Sequence, residues 1–249
     1  MACNFVMRGW NTVRLRMTGY AALLVVTAAM GSPVGERPNA MLLKSGEFVF
    51  GDFRGDTELG RSRITIARKA DGQYLFSNEV IGHAAQTWTA VAGVDFEPVA
   101  AVLEFRGEGE AHQPIFDIHY KGGRVTGSRR PRQPPGAAPI LVDDAAEPGV
   151  IDQRIDWASV MARKLKIGLM FNFQVYDPAI ATSAGSAMVE DGGRIHVPAG
   201  DFDTFKITYQ IGKKTGSERY VVFASKALPR ILVREDFPDG VSSMLENAS

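Results

Sequence analysis

Residues 169–176 read Leu169-Met170-Phe171-Asn172-Phe173-Gln174-Val175-Tyr176, with an apolar side chain at every second position. Successive residues of an extended chain point to opposite faces, so this run has one oily face and one wet face. That is the pattern of an antiparallel strand covering a core on one side. The same period recurs at Ile64 and Ile66, at Phe116, Ile118 and Tyr120, and at Phe205, Ile207, Tyr209 and Ile211. Turn-forming residues separate the runs at Asp71-Gly72, Gly122-Gly123, Asp191-Gly192-Gly193, Lys214-Thr215-Gly216 and Pro238-Asp239-Gly240. Residues 45–249 therefore predict one domain, a meander of about ten strands.

Just before the opening run the period changes. Trp157, Val160, Met161 and Leu165 share one face of an α-helix. Asp156, or Asp152 a turn earlier, can cap its start, Arg163, Lys164 and Lys166 suit its negative end, and Gly168 can terminate it. The stretch Arg129-Arg130-Pro131-Arg132-Gln133-Pro134-Pro135-Gly136 begins a Pro/Arg-rich loop over about 129–139, because proline removes donors and fixes φ. It is short for a linker, so it reads as interrupting one sheet; a division into two domains at this loop is the alternative.

Composition narrows the function. The chain has 249 residues, 45% hydrophobic and 22% charged, which is ordinary for a globular protein. Lys plus Arg and Asp plus Glu both number 28, so no overall basic field exists to hold nucleic acid. Residues 1–31 carry Arg8, Arg14 and Arg16 but no acid, then an apolar run from Gly19 to Met30, then Gly31-Ser32-Pro33. These are the parts of a cleavable export signal, and the apolar run falls short of the roughly 20 residues a membrane span needs. The expected destination is the periplasm, with 32–44 a flexible lead into the domain and no transmembrane span in the mature chain. An uncleaved anchor or an apolar first helix are the alternatives. The single cysteine, Cys3, precedes the apolar run, so it is not a lipid-bearing cysteine, and no intrachain disulfide can form.

Patterns that carry chemistry fail on inspection. Gly212-Lys213-Lys214-Thr215-Gly216-Ser217 looks like half a phosphate loop, but Ile207 stands where the upstream glycine belongs. Gly107-Glu108-Gly109 lacks the third glycine of a dinucleotide fingerprint. The histidines are His83, His112, His119 and His196; Asp117, His119 and His112 could form a metal set, and a polar sheet face explains the same alternation. Asp143-Asp144 and Glu108/Glu110 read as solvated charges. No catalytic residue, metal ligand or cofactor is assigned. Arg124, Arg129, Arg130 and Arg132 form a basic cluster that would suit phosphate head groups or simply keep a loop solvated. Trp88 and Trp157 are candidates for core or for a pocket wall.

The segment Val197-Pro198-Ala199-Gly200-Asp201-Phe202-Asp203-Thr204-Phe205-Lys206-Ile207 resembles an exported bacterial family described as a domain of unknown function, with a proline–alanine–glycine turn before a Phe-x-Thr-x-Lys strand. Asp156–Leu165, Ile167-Gly168 before Phe171 and Phe173, Leu228-Pro229-Arg230-Ile231-Leu232-Val233-Arg234, Leu59-Gly60 and Phe96-Glu97-Pro98-Val99 agree in order. Phe223-Ala224-Ser225-Lys226 departs from the family's tryptophan–leucine–serine segment followed by an acid. The family is similar in architecture to periplasmic lipoprotein carriers of the LolA type. The resemblance implies a mainly β fold, a strongly curved antiparallel sheet or incomplete β-barrel wrapped around one α-helix, and it brings no catalytic residues.

A curved sheet must fill its concave side with a helix, side chains or a ligand. The expected function is that of a non-enzymatic periplasmic protein binding a lipid, a lipoprotein acyl chain or another apolar envelope component there. Its wall would be Trp157, Met161, Phe171, Phe173, Phe205 and Ile207. The alternative is that these six pack helix on sheet without a void, leaving a structural or interaction protein of the envelope.

Overall fold

The computed structural model describes residues 36–82, 86–105, 113–131 and 137–249. The export signal read in residues 1–31, with Cys3, lies outside them, as do His83, Glu108, Glu110, His112 and residues 132–136 of the Pro/Arg-rich loop.

Among the described residues, period-two patterning becomes a single 15-stranded sheet. One arm runs outward in chain order: β1 (Gly46–Arg54), β2 (Thr57–Arg68), β3 (Tyr74–Gly82), β4 (Gln86–Ala92), β5 (Pro98–Phe105), β6 (Gln113–Lys121), β7 (Arg124–Arg129) and β8 (Ile140–Ala145). The chain then forms β9 (Val150–Asp152), a 3-10 turn and the helix α1 (Asp156–Met161). The second arm follows as β10 (Met170–Asp177), β11 (Ala181–Val197), β12 (Gly200–Gly212), β13 (Ser217–Ser225), β14 (Leu232–Asp236) and β15 (Val241–Ala248). β1 pairs with β15, fusing the arms, and β9 lies parallel to β10 while the other neighbours are antiparallel. The sheet ends at β8 on one side and β9 on the other, so it curls without closing. Register shifts between β1 and both its neighbours, in β4–β5, β5–β6, β11–β12 and β13–β14 each add local twist and bend the sheet.

The predicted runs supply much of the core: Ile64 and Ile66 of β2, Phe116 and Ile118 of β6, Phe171, Phe173 and Val175 of β10, and Ile207, Tyr209 and Ile211 of β12 are buried. More strands form than the alternation predicts. In β8, for example, Val142 is the one buried residue, and an edge strand wet on both faces has no periodic signature. Asp191-Gly192-Gly193 does not turn the chain. It is a bulge inside the 17-residue β11, with Gly193 at φ +65° and its N–H donating to Asp191 Oδ1 at 3.1 Å. The reversal comes at Pro198-Ala199, where Val197 pairs with Gly200.

The helix is also shorter than predicted, six residues ending at Met161. Tertiary donors take the carbonyls that a longer helix would use: Arg230 Nη1 donates to the carbonyls of Met161 (3.2 Å) and Arg163 (2.8 Å), and Asn39 N–H donates to that of Ala162 (2.6 Å). Asp152 caps the preceding 3-10 turn by accepting from Arg154 N–H. Within the segment predicted as a flexible lead, Ala40 and Leu43 are buried in the core, anchored by Ala40 N–H to the Val94 carbonyl at 2.7 Å.

Gly127 of β7 shows how closely the strands approach. It has φ +144°, and a Cβ there would lie 2.1 Å from the Asp117 carbonyl oxygen of β6. Gly127→Ala is expected to cost about 2 kcal/mol, read as a lower urea midpoint at unchanged slope.

Candidate functional site

Where the backbone ladder stops, side chains stitch the arms. Tyr120 of β6 donates to Asp152 of β9 (2.6 Å), and Tyr176 of β10 donates to Asp144 of β8 (2.6 Å). The two rings meet edge to face at 5.8 Å. Each arm thus contributes one phenol and one carboxylate. Burial and the neighbouring carboxylates push both phenols above their ordinary value, so both remain donors. Beside them Arg154 donates from Nε to Asp152 (2.6 Å), from Nη1 to Asp177 (2.8 Å) and from Nη2 to the Tyr176 carbonyl (3.1 Å). Its guanidinium lies over the Phe116 ring at 4.6 Å.

Next to this seam lies a cavity of about 630 Å³. β3 to β7 contribute to one wall and β12 to β14 to the other, which places it between the arms on the concave side. Six aromatic side chains line it: Trp88, Phe116, Trp157, Tyr209, Tyr220 and Phe237. Asn78, Gln86, Gln153, Arg129 and Arg130 add polar groups, with Leu103 and Ile115 among the apolar ones.

Two buried acids also face it, Asp156 and Glu235, each 5% exposed. The Tyr209 hydroxyl lies 3.3 Å from Asp156 Oδ1 and 3.4 Å from Glu235 Oε1. One phenolic proton cannot serve two carboxylates at once, so the trio is stable only when a carboxyl carries a proton of its own. Burial pushes Asp156 up to about 7, against the opposing pull of the Trp157 N–H bond (2.5 Å). Burial and the proximity of Asp156 push Glu235 well above the usual carboxylate range. Two further acids are buried, Asp152 of the seam and Asp52, which accepts from Ser62 and Ser243.

The six residues predicted as a ligand wall are not gathered around one space. Trp157 lines the large cavity, its indole N–H donating to the Arg154 carbonyl at 3.0 Å. Met161 and Ile207 are wholly buried in the core. Phe171 stacks under Arg163 (4.3 Å) and lines a separate recess with Glu36 and Leu169. Phe173 packs between Phe171 and Tyr209 and borders two other recesses. Phe205 is half-buried, with Lys226 and Arg230 each 5.8 Å from its ring. Trp88, weighed as core or wall, is both buried and lining.

Sequence reasoning missed the acids. Asp156 reads as a helix cap, but Glu235 falls in phase with buried Val233, and Asp52 in phase with buried Phe48 and Phe50. An acid on the oily phase of a strand was the available signal. Asp117 and His119 lie 3.5 Å apart on the exposed face of β6, and among the described residues no three His, Cys, Asp or Glu side chains gather as a metal set.

Together these features define a class: a curled, unclosed, β-barrel-like sheet with a cavity between its arms. The chain belongs to the DUF3108 family, a protein family of unknown function whose profile matches residues 52–246. Among solved structures it is similar to a β-barrel-like protein of the domain of unknown function DUF1849 from Brucella abortus, with a TM-score of 0.54 at 12% identity over 83% of this chain and 98% of that one. Two others align less well: a candidate lipoprotein from Parabacteroides distasonis (TM-score 0.35, 10% identity, 86% and 100% of the two chains) and a candidate exported protein with a YmcC-like fold from Bacteroides fragilis (0.33, 9%, 85% and 99%). Comparison with curated proteins gives no match. Among the described residues no helix is long and apolar enough to cross a membrane.

Proposed function

We propose that this protein is a non-enzymatic component of the bacterial envelope, exported to the periplasm, that holds the chain of a lipid or another apolar ligand in the cavity between its arms. The observation that carries this reading is the unfilled space of about 630 Å³ walled by six aromatic side chains drawn from both arms and the helix. That volume lies within the usual 300–1,000 Å³ or so of small-molecule sites. A chain of about 14 carbons gains on the order of 10 kcal/mol gross on burial, and ordering and association costs of several kcal/mol leave a micromolar affinity.

The cavity holds two tryptophans, Trp88 and Trp157, so occupation is expected to change intrinsic fluorescence. A fluorescent fatty-acid analogue titrated into the protein should bind saturably, and Leu103→Trp, which adds bulk to the wall, should weaken it about tenfold or more at unchanged thermal midpoint. No saturable uptake, together with no lipid extracted from protein purified from its native envelope, would overturn the proposal. A second reading rests on β8, whose outer edge is unpaired within the sheet and which exposes Ile140 and Leu141, Leu141 at 86%. Such an edge suits a partner strand, and cross-linking from a cysteine placed at Leu141 would detect one.

A further inference from the structure

Polar atoms facing the cavity want donors. Asp156 and Glu235 are each nearly fully buried, and they share a single hydroxyl at the long distances given above. Among the described residues, no donor reaches Asp156 Oδ2 or Glu235 Oε2, and no Lys or Arg lies within ion-pair distance of either acid. The nearest cation on the same wall, Arg154, is already committed to Asp152 and Asp177. Asn78 Oδ1, on the facing arm, is a buried acceptor without a hydrogen-bond partner. Arg129 and Arg130 also border the cavity and are more exposed overall than the acids, although the Arg130 Nε is itself buried. The aromatic lining is matched to the acid pair, because ring faces attract cations and Tyr209 and Tyr220 stack at 5.0 Å beside the acids.

We infer that the cavity's ligand carries a protonated amine, seated against Asp156 and Glu235 with Asn78 as a further acceptor, its apolar chain running along the aromatic wall. An ammonium group supplies three donors and a compact charge, the complement of two buried carboxyls and the Asn78 Oδ1 acceptor. The inference rests on the cavity being a site for an apolar chain, and it names the head group. The raised carboxyl values agree: burial pushes both acids toward the neutral form. An arriving ammonium reverses that preference, so a carboxyl loses its proton to solvent while the amine keeps its own. Arg154, Lys213, Tyr209, Tyr220, Asp52 and Asp236 are the other ionisable groups that act on the pair.

The test is calorimetric titration of the full-length protein with dodecylamine hydrochloride, dodecanol, sodium dodecanoate and spermidine, each below aggregation. Dodecylamine is expected to bind at least about tenfold more tightly than dodecanol or dodecanoate. In Asp156→Asn/Glu235→Gln its affinity should fall to that of dodecanol on the same variant. Repeating the wild-type titration near pH 7.5 in buffers of different ionisation enthalpy should reveal a released proton, a readout that needs no variant to fold. Equal binding of the three dodecyl chains, preference for dodecanoate, or no proton release would overturn the amine assignment and leave the cavity reading standing. Spermidine binding as tightly as dodecylamine would support amine recognition and overturn the apolar-chain reading, and silence from all four would overturn both.

Discussion

Arg154→Met is expected to lower the unfolding free energy by about 3–5 kcal/mol, because it strands buried carboxylates that have no other cation among the described residues. The Asp152 side chain is fully inaccessible to solvent and that of Asp177 largely so. With the guanidinium gone, Asp152 keeps the Tyr120 hydroxyl and the Arg154 N–H, two donors but no positive charge. The hydrogen bond to the Tyr176 carbonyl and the contact over Phe116 go as well, so the loss falls on both arms at once. Lysine is a poor substitute: one ammonium cannot reproduce a planar fork that addresses two carboxylates, a carbonyl and a ring together. Adding Asp152→Asn to Arg154→Met should recover part of the loss, since an amide is far cheaper than a carboxylate to leave buried. Urea unfolding followed by tryptophan fluorescence measures all three variants. A loss below about 1 kcal/mol for Arg154→Met would mean that water reaches the seam and screens the pair.

That seam marks the boundary of what patterning can reveal. β6, β10 and β12 are legible because one face meets the core and the other meets water, so their residues alternate in kind. Tyr176 is not legible: it sits on the wet phase of β10, yet it is fully buried because its hydroxyl reaches Asp144 on the last strand of the opposite arm. Only the curl of the sheet brings those residues together, and no periodicity within either strand encodes it. The ligand wall failed to assemble around one space for a related reason. Alternation says that Phe173, Ile207 and Trp157 point inward, but not which part of a long concave surface each one meets. Met161 and Ile207 meet protein, whereas Trp157 meets space. The chain does belong to a family of unknown function, and its sheet does curl without closing; the segment Val197–Ile207 spans the reversal between β11 and β12. Glu235 and Asp52 do carry a signal: an acid in the inward register contradicts the burial that its neighbours announce, and such contradictions concentrate where a site is built.

Raising the pH from about 4.5 to about 8 is expected to destabilise the protein through the cavity acids, and Asp156→Asn should remove much of that slope. The sign follows from the direction of the shifts. Asp156 has an ordinary value of 3.8 and stands at about 7 in the folded state, and Glu235 is raised well above 4.5. Between those limits the folded chain holds protons that the unfolded chain has released, so stability is complete below the unfolded values and drains away as pH climbs through the folded ones. A rise of about three units corresponds to about 4 kcal/mol at full effect, shared between coupled groups. Asp71, Asp191 and Asp201 are shifted the opposite way by surface partners, and their contribution fades only below the ordinary aspartate range, outside this window. Asparagine at 156 keeps an oxygen to accept from Trp157 N–H and carries no charge to bury. The variant should therefore melt several degrees above wild type near pH 8, at about 2–4 °C per kcal/mol for a chain of this size, and close to it near pH 4.5. Wild-type stability that stays flat or rises across the window would show the pair ionised in the folded state. The two acids would then have donors of their own and no call on a ligand's ammonium.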